Sequence, residues 1–284
     1  MDVPAVVGTI AAALVGGGVS AGHLSCRKAM RKAQDAYRRL SASVAPPAER
    51  FDASQVADLP EIARRYFMHA IAPGTPLYSA VELEMSGTFL LGDKDKCQTY
   101  TMAAKQVLRA PGEFVWLPKL RSGPMSITGS DALVGEEAWT RFWLMNVVPV
   151  ARERTSPDLV RSAQFRAAVE LGLWLPTTLL PSSGARWQQI GADEALVTLS
   201  PFRPAIDLRL KFAASGAPTE IVGQRWSNAN PDKRFQLQPF GGTLLAERSF
   251  QGFTIPTSVA VGNHYGMAEY LPFFQATINN ARYS

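Results

Sequence analysis

From Leu77 onward, apolar and polar residues alternate with a period of two over much of the chain. Val81, Leu83 and Met85 alternate with Glu82, Glu84 and Ser86, which predicts a strand with one buried and one wet face. Similar segments follow at 98–108, 113–117, 124–133 and 138–148, then at 185–190, 194–199, 206–212, 219–226, 243–253, 258–262 and 269–278. Gly or Pro turns separate many of them, so the pattern predicts an antiparallel meander rather than β-α-β crossovers.

Between these two groups the period becomes that of a helix. Ser156 suits an N-cap, Pro157 the first helical position and Asp158 the positive helix end. Val160, Ala163, Ala167, Leu171 and Trp174 form one apolar face, while Phe165, Ala168, Val169 and Gly172 make the opposite side apolar too. A surface helix keeps a polar stripe there. This one is therefore expected to be covered on several sides until Pro176 forces Leu175 out of helical geometry. A shorter helix opens at Asp58-Leu59-Pro60-Glu61, with Asp58 and Glu61 at capping-box spacing. It carries Leu59, Ile62, Ala63, Tyr66, Phe67 and Ala70 on one face, and His69 falls away from that face. The fold class expected is α+β, a curved and mostly antiparallel β-sheet wrapped around the buried helix 157–175.

Glu170 breaks the pattern, because helical spacing puts it on the face of Ala163, Ala167 and Trp174. A buried carboxylate is costly unless paired and hydrogen-bonded. Arg166, Arg225 and Arg248 are candidate partners. One reading is a structural ion pair, another a polar anchor inside an apolar ligand cavity. Six tryptophans in the chain serve either as core or as the walls of such a cavity. Candidate ligand-binding residues are thus Glu170, Trp174, Arg166, Trp116, Asp131, Trp187 and Arg225.

Ahead of the sheet, 3–22 is a stretch of about twenty uncharged residues, the minimum for a helix to span a bilayer core. Arg27, Lys28, Arg31, Lys32, Arg38 and Arg39 follow it, opposed only by Asp35. The positive-inside tendency then places the large domain in the cytoplasm behind a single-pass N-terminal membrane helix. Ala29, Met30, Ala33, Tyr37 and Leu40 give the basic segment an apolar stripe that could lie on anionic headgroups. The expected division is an anchor at 1–26, a basic juxtamembrane helix and linker at 27–57, and the α+β domain at 58–284. Two alternatives stay open. Val19-Ser20-Ala21 could be a signal-peptide cleavage site, although no basic n-region precedes it. Gly16-Gly17-Gly18-Val19-Ser20-Ala21 fits a dinucleotide fingerprint but lacks the second strand and its acidic residue.

Charge and motif content narrow the chemistry. The net charge of +5 comes largely from that one basic run, which argues against a nucleic-acid surface across the domain. Two cysteines give neither a disulfide framework nor a zinc motif. Neither G-x-S-x-G, a P-loop nor H-E-x-x-H occurs, and His23, His69 and His264 are scattered. No cofactor or metal is indicated. An enzyme site near Glu170, Asp131 and His264 remains an alternative, as does a purely structural membrane-associated module.

The stretch running from Glu170 to Pro181 resembles an uncharacterised family, a domain of unknown function. Its pattern, R-x3-E-x3-W-x-P-T-x-L-L-P, falls on Arg166, Glu170, Trp174, Pro176, Thr177, Leu179, Leu180 and Pro181. The resemblance spans about 59–278 and takes in Trp116 and Asp131. It implies no activity. The pattern is also similar to the half-barrel of lipoprotein-carrier proteins, where a curved antiparallel sheet wraps around helices, a likeness of fold alone. The buried helix, the aromatic content and the N-terminal anchor lead to the function expected: a membrane-attached, non-catalytic domain that binds an apolar small molecule or lipid in the concavity.

Overall fold

The computed structural model describes residues 3–42, 47–92, 94 and 96–284, with side chains from residue 19 onward. Helix α1 (Val3–Ser41) comes first, and a 3-10 turn at Ala53–Val56 leads into α2 (Glu61–Ala70). Six strands follow: β1 (Ala80–Gly92), β2 (Cys97–Arg109), β3 (Glu113–Ser122), β4 (Met125–Val134), β5 (Glu137–Leu144) and β6 (Val148–Glu153). After α3 (Pro157–Trp174) come β7 (Ala185–Gln189), β8 (Glu194–Leu199), β9 (Ile206–Phe212) and β10 (Pro218–Ser227). The chain ends with β11 (Gln236–Phe250), β12 (Phe253–Asn263) and β13 (Leu271–Tyr283).

Among the described residues these strands form one open antiparallel sheet, ordered β6-β5-β4-β3-β2-β1-β13-β12-β11-β10-β9-β8-β7. The order is two meanders joined where β1 pairs with β13, Val81 opposite Tyr283. Its outermost strands, β6 and β7, are consecutive in the chain, and α3 is what connects them. A helix that links the two edges of an open sheet must cross its face. That is why α3 is apolar nearly all round, and why it touches β2, β3, β4 and β5 on one side and β9, β10 and β12 on the other. The sheet curves around it.

Helix α1 lies on the opposite, convex face. Ala33, Ala36 and Leu40 are buried against Val107, Val115, Ala132 and Trp139. Strands β2 to β5 are consequently covered on both sides here, rather than one buried and one wet. This accounts for the unbroken apolar runs Phe114-Val115-Trp116 and Ala132-Leu133-Val134, which are read best as strands buried on two faces. Lys32 pairs with Glu137 at 2.7 Å, and Arg109 Nε donates to Leu40 O at 2.9 Å, closing the helix end.

These contacts correct the N-terminal reading. Most of 3–22 lies outside the residues whose side chains are described. Among the described residues no helix is long and apolar enough to cross a membrane. The single-pass placement is therefore overturned, and the cytoplasmic side assigned to the large domain goes with it. The apolar stripe of the basic segment packs on the sheet, not on headgroups.

Three local expectations also change. Asp58 lies too far ahead of the N-cap of α2, which is Pro60 and has no side-chain cap. The capping box forms instead at Asp52 and Gln55. The strand expected over 138–148 breaks at Met145 and Asn146, whose φ values of 51° and 62° turn the chain. Pro149 then sits in β6, an edge strand, where a missing N–H is tolerated. His69 is half-buried, with Nε2 2.8 Å from a Glu247 carboxylate oxygen.

Candidate functional site

The helix that crosses the concave face begins as its sequence requires. Ser156 Oγ accepts from the Leu159 N–H at 3.2 Å, and Asp158 accepts from Trp226 Nε1 at 2.8 Å. Along α3, Arg166, Glu170 and Trp174 are spaced by four residues and form one stripe. That stripe faces a cavity of about 550 Å³ between α3 and the sheet. Leu91 and Val150 line the cavity and are also exposed, so it reaches the surface between the ends of β1 and β6.

Most of the wall is apolar, and eight of its side chains are aromatic. Phe89 packs on Trp116 with ring centroids 5.8 Å apart, Trp116 on Phe274 at 6.2 Å, and Phe89 on Phe273 at 5.6 Å. Phe240 continues the series at 6.2 Å from Phe273 and 5.7 Å from Phe165. All but the tilted Phe89–Trp116 pair are edge-to-face, a favoured arrangement for aromatic rings.

One polar cluster interrupts this wall. Arg166 Nε donates to Glu170 Oε1 at 2.8 Å, and its Nη1 donates to Asp131 Oδ2 at 2.5 Å. Its guanidinium also lies over the Phe114 and Trp116 rings, 4.6 and 4.9 Å from their centroids. Thr140 Oγ1 donates to Asp131 at 3.0 Å, and Gln106 Nε2 donates to Glu170 Oε2. The partners respond differently to burial. Burial alone would lower the pKa of Arg166, but Glu170 and then Asp131 outweigh it and hold the guanidinium charged. For Glu170 burial wins: its pKa is raised despite Arg166, a cation it shares with Asp131.

This sets a pH dependence. A raised pKa means the fold favours the protonated acid. The stability tied to Glu170 is complete below its ordinary value of 4.5 and is lost as pH rises through the higher folded value. Glu170→Gln is neutral throughout. Its unfolding free energy relative to wild type should therefore shift in its favour as pH rises from 4.5 toward neutrality, read from urea denaturation across that range. A pH-independent difference would contradict the raised pKa.

Of the residues singled out from sequence, Glu170, Trp174, Arg166, Trp116, Asp131 and Arg225 line this cavity. Trp187 does not. It braces α2 by packing on Tyr66 and Phe67, each at 5.5 Å, while its Nε1 donates to Leu179 O at 2.8 Å. Of the other tryptophans, Trp139 lies under α1 and Trp226 stacks beneath Arg161. Of the arginines offered to Glu170, Arg166 takes the role, and Arg248 sits over Phe250 instead. Asp131 and Glu170 are brought together through Arg166, but His264 is elsewhere, with Nε2 2.8 Å from Ala229 O. Sequence reasoning missed Gln106 and the phenylalanines. Gln106 was visible in principle: it is a polar side chain on the apolar face of Tyr100, Met102, Ala104 and Leu108.

The sequence profile of a family of unknown function (DUF6544) matches residues 49–276. No curated protein matches the chain. Among solved structures, the chain is similar to a domain described as an outer membrane lipoprotein-sorting protein from Vibrio parahaemolyticus. Identity is 10%, the TM-score is 0.39, and 78% of this chain and 91% of that one are covered. It is also similar to a LolA superfamily protein from Nitrosomonas europaea, with 11% identity, a TM-score of 0.38, and 78% and 92% of the two chains covered. Likeness at this level carries no inference about function.

Proposed function

Since the chain belongs to DUF6544, a family of unknown function, we propose from the cavity alone that it is a binding domain for an apolar, lipid-like ligand. The observation that carries this reading is the aromatic-walled space of about 550 Å³ under α3, with one cluster of polar groups in its wall. Its size and lining match those of small-molecule sites, roughly 300–1,000 Å³, mostly apolar, with a few fixed polar groups. A solid core would close such a space, because interiors pack to crystal-like density.

The role proposed is non-catalytic. Both cavity carboxylates are engaged, Asp131 with Arg166 and Thr140, Glu170 with Arg166 and Gln106. A general acid or base needs a proton-exchanging edge directed at substrate. Here each carboxylate has one oxygen on Arg166 and the other on Thr140 or Gln106.

Native mass spectrometry and lipid extraction of the purified full chain test the reading. So does a plug: Val169 is buried on the cavity wall, and Val169→Trp should fill the space. We expect wild type to carry or take up a lipid and the plugged variant to lose it, with circular dichroism unchanged. Wild type that binds no lipid, or a folded plugged variant that binds as well as wild type, would overturn the proposal.

A further inference from the structure

Two guanidiniums line the cavity, and they are satisfied very differently. Arg166 holds two carboxylates and two aromatic faces. Arg225 holds none of the former. Its Nε and Nη2 reach Ser162 Oγ at 3.4 Å each, and its Nη1 reaches Asn263 Oδ1 at 3.4 Å. These are neutral acceptors at distances beyond the usual range of about 2.7–3.2 Å for N–H donors. Its charge lies 5.5 Å from the centroid of Phe240. Among the described residues no carboxylate forms an ion pair with it, and Asp131 and Glu170 are both turned to Arg166.

An arginine in this position is costly unless something answers its charge. Burial is the leading influence on it and pulls its pKa down, the neighbouring Arg166 adds to that, and the more distant carboxylates of Asp131, Glu170 and Glu153 offset only part of it. Asp131 and Glu170 accept their hydrogen bonds from Arg166, Thr140 and Gln106 and none from Arg225. This guanidinium, without an ion-pair partner among the described residues, and the apolar wall belong to one cavity. A planar fork of N–H donors fits a carboxylate or a phosphate with two parallel hydrogen bonds.

We propose that the ligand is an amphipathic anion, with its negative headgroup, carboxylate or phosphate, seated on Arg225 and its hydrocarbon chain against the aromatic wall. The inference rests on the cavity being a ligand site, as proposed above, and adds the ligand's charge and the residue that reads it. A neutral lipid would leave Arg225 as it is. A cationic one would add to the repulsion between the two arginines.

Four probes with chains of near-equal length separate the outcomes: dodecanoate, dodecyl phosphate, dodecanol and dodecyltrimethylammonium. Binding to the delipidated full chain is followed by tryptophan fluorescence, since Trp116 and Trp174 line the cavity. The expected result is that one or both anions bind at least about tenfold more tightly than the alcohol, the order for hydrogen bonds to a charged group. The stronger anion identifies the headgroup. Arg225→Gln should abolish the preference while still binding the alcohol, and Arg225→Lys should keep part of it. Equal binding of anion and alcohol by wild type, or a preference for the cation, would overturn the inference and leave the apolar cavity standing. A preference that survives in Arg225→Gln would overturn the assignment to Arg225. If no probe binds, the cavity reading itself falls and this inference falls with it. The wild-type comparison needs no variant, so misfolding of Arg225→Gln would not shelter the proposal.

Discussion

Arg166→Met is expected to destabilise the protein by about 3–5 kcal/mol, the usual cost of removing one partner from a buried ion pair. The Arg166 side chain is 18% exposed, Asp131 23% and Glu170 11%, so solvent does little to screen what remains. Methionine keeps an unbranched apolar stem, though it ends short of the guanidinium that lies over Phe114 and Trp116. What it loses is the charge together with those ring contacts, leaving Asp131 and Glu170 without the cation they share. The shift in urea midpoint at neutral pH measures the loss. Acidification should shrink it, because a protonated Glu170 no longer needs the cation. A loss below about 1 kcal/mol would be the value of an exposed ion pair and would contradict the burial assigned here. Adding Asp131→Asn to Arg166→Met should recover part of the loss, since the stranded charge is removed with its partner.

The same cluster shows what can be read from residues alone. Glu170 on an apolar helical face required a partner, and Arg166 at four residues' distance could supply it. Both facts are visible in one dimension. Gln106 was no less visible, but a single polar residue in a strand carries no spacing that ties it to a helix distant in sequence. The cavity was not readable in the same way. Its wall is made of phenylalanines from β1, β5, β11 and β13, each of them ordinary core residues in its own strand. Only the curvature of the sheet brings them to one space.

Turns made without glycine or proline were the other blind spot. Met145 and Asn146 turn between β5 and β6 with positive φ, so the strand expected over 138–148 runs through the turn and β6 is missed. The strand expected over 243–253 is misplaced at both ends: β11 already begins at Gln236 and runs through Gly241 and Gly242, where glycine is required because a Cβ on Gly242 would stand 1.9 Å from Ala260 O. The real turn is at Gln251 and Gly252, with φ of 50° and 91°. The partner of the basic segment could not be chosen from sequence for a different reason. An apolar stripe flanked by Lys and Arg suits a headgroup layer and a sheet face equally well. Pairs such as Lys32 with Glu137 and the burial of Ala33, Ala36 and Leu40 decide for the sheet.

Trp174→Ala should cost about 3–5 kcal/mol, in the range for deleting a large buried aromatic. Trp174 is 1% exposed and is the last residue of α3. Its Nε1 donates to Pro256 O at 3.1 Å, and its own carbonyl accepts from Tyr283 Oη at 3.1 Å. The indole therefore pins the end of α3 to β12, just before Thr177 Oγ1 anchors the exit by donating to Tyr78 O at 2.8 Å. Trp174→Phe separates the two contributions. It keeps most of the volume but leaves Pro256 O without its donor, which should cost about 1–3 kcal/mol. Because the same indole lines the cavity, the alanine variant also enlarges it. An apolar ligand should then raise the thermal midpoint of Trp174→Ala by more than it raises that of wild type, by refilling space that water does not favour. If both midpoints rise equally, Trp174 serves as a pin for the helix and takes no part in shaping the site.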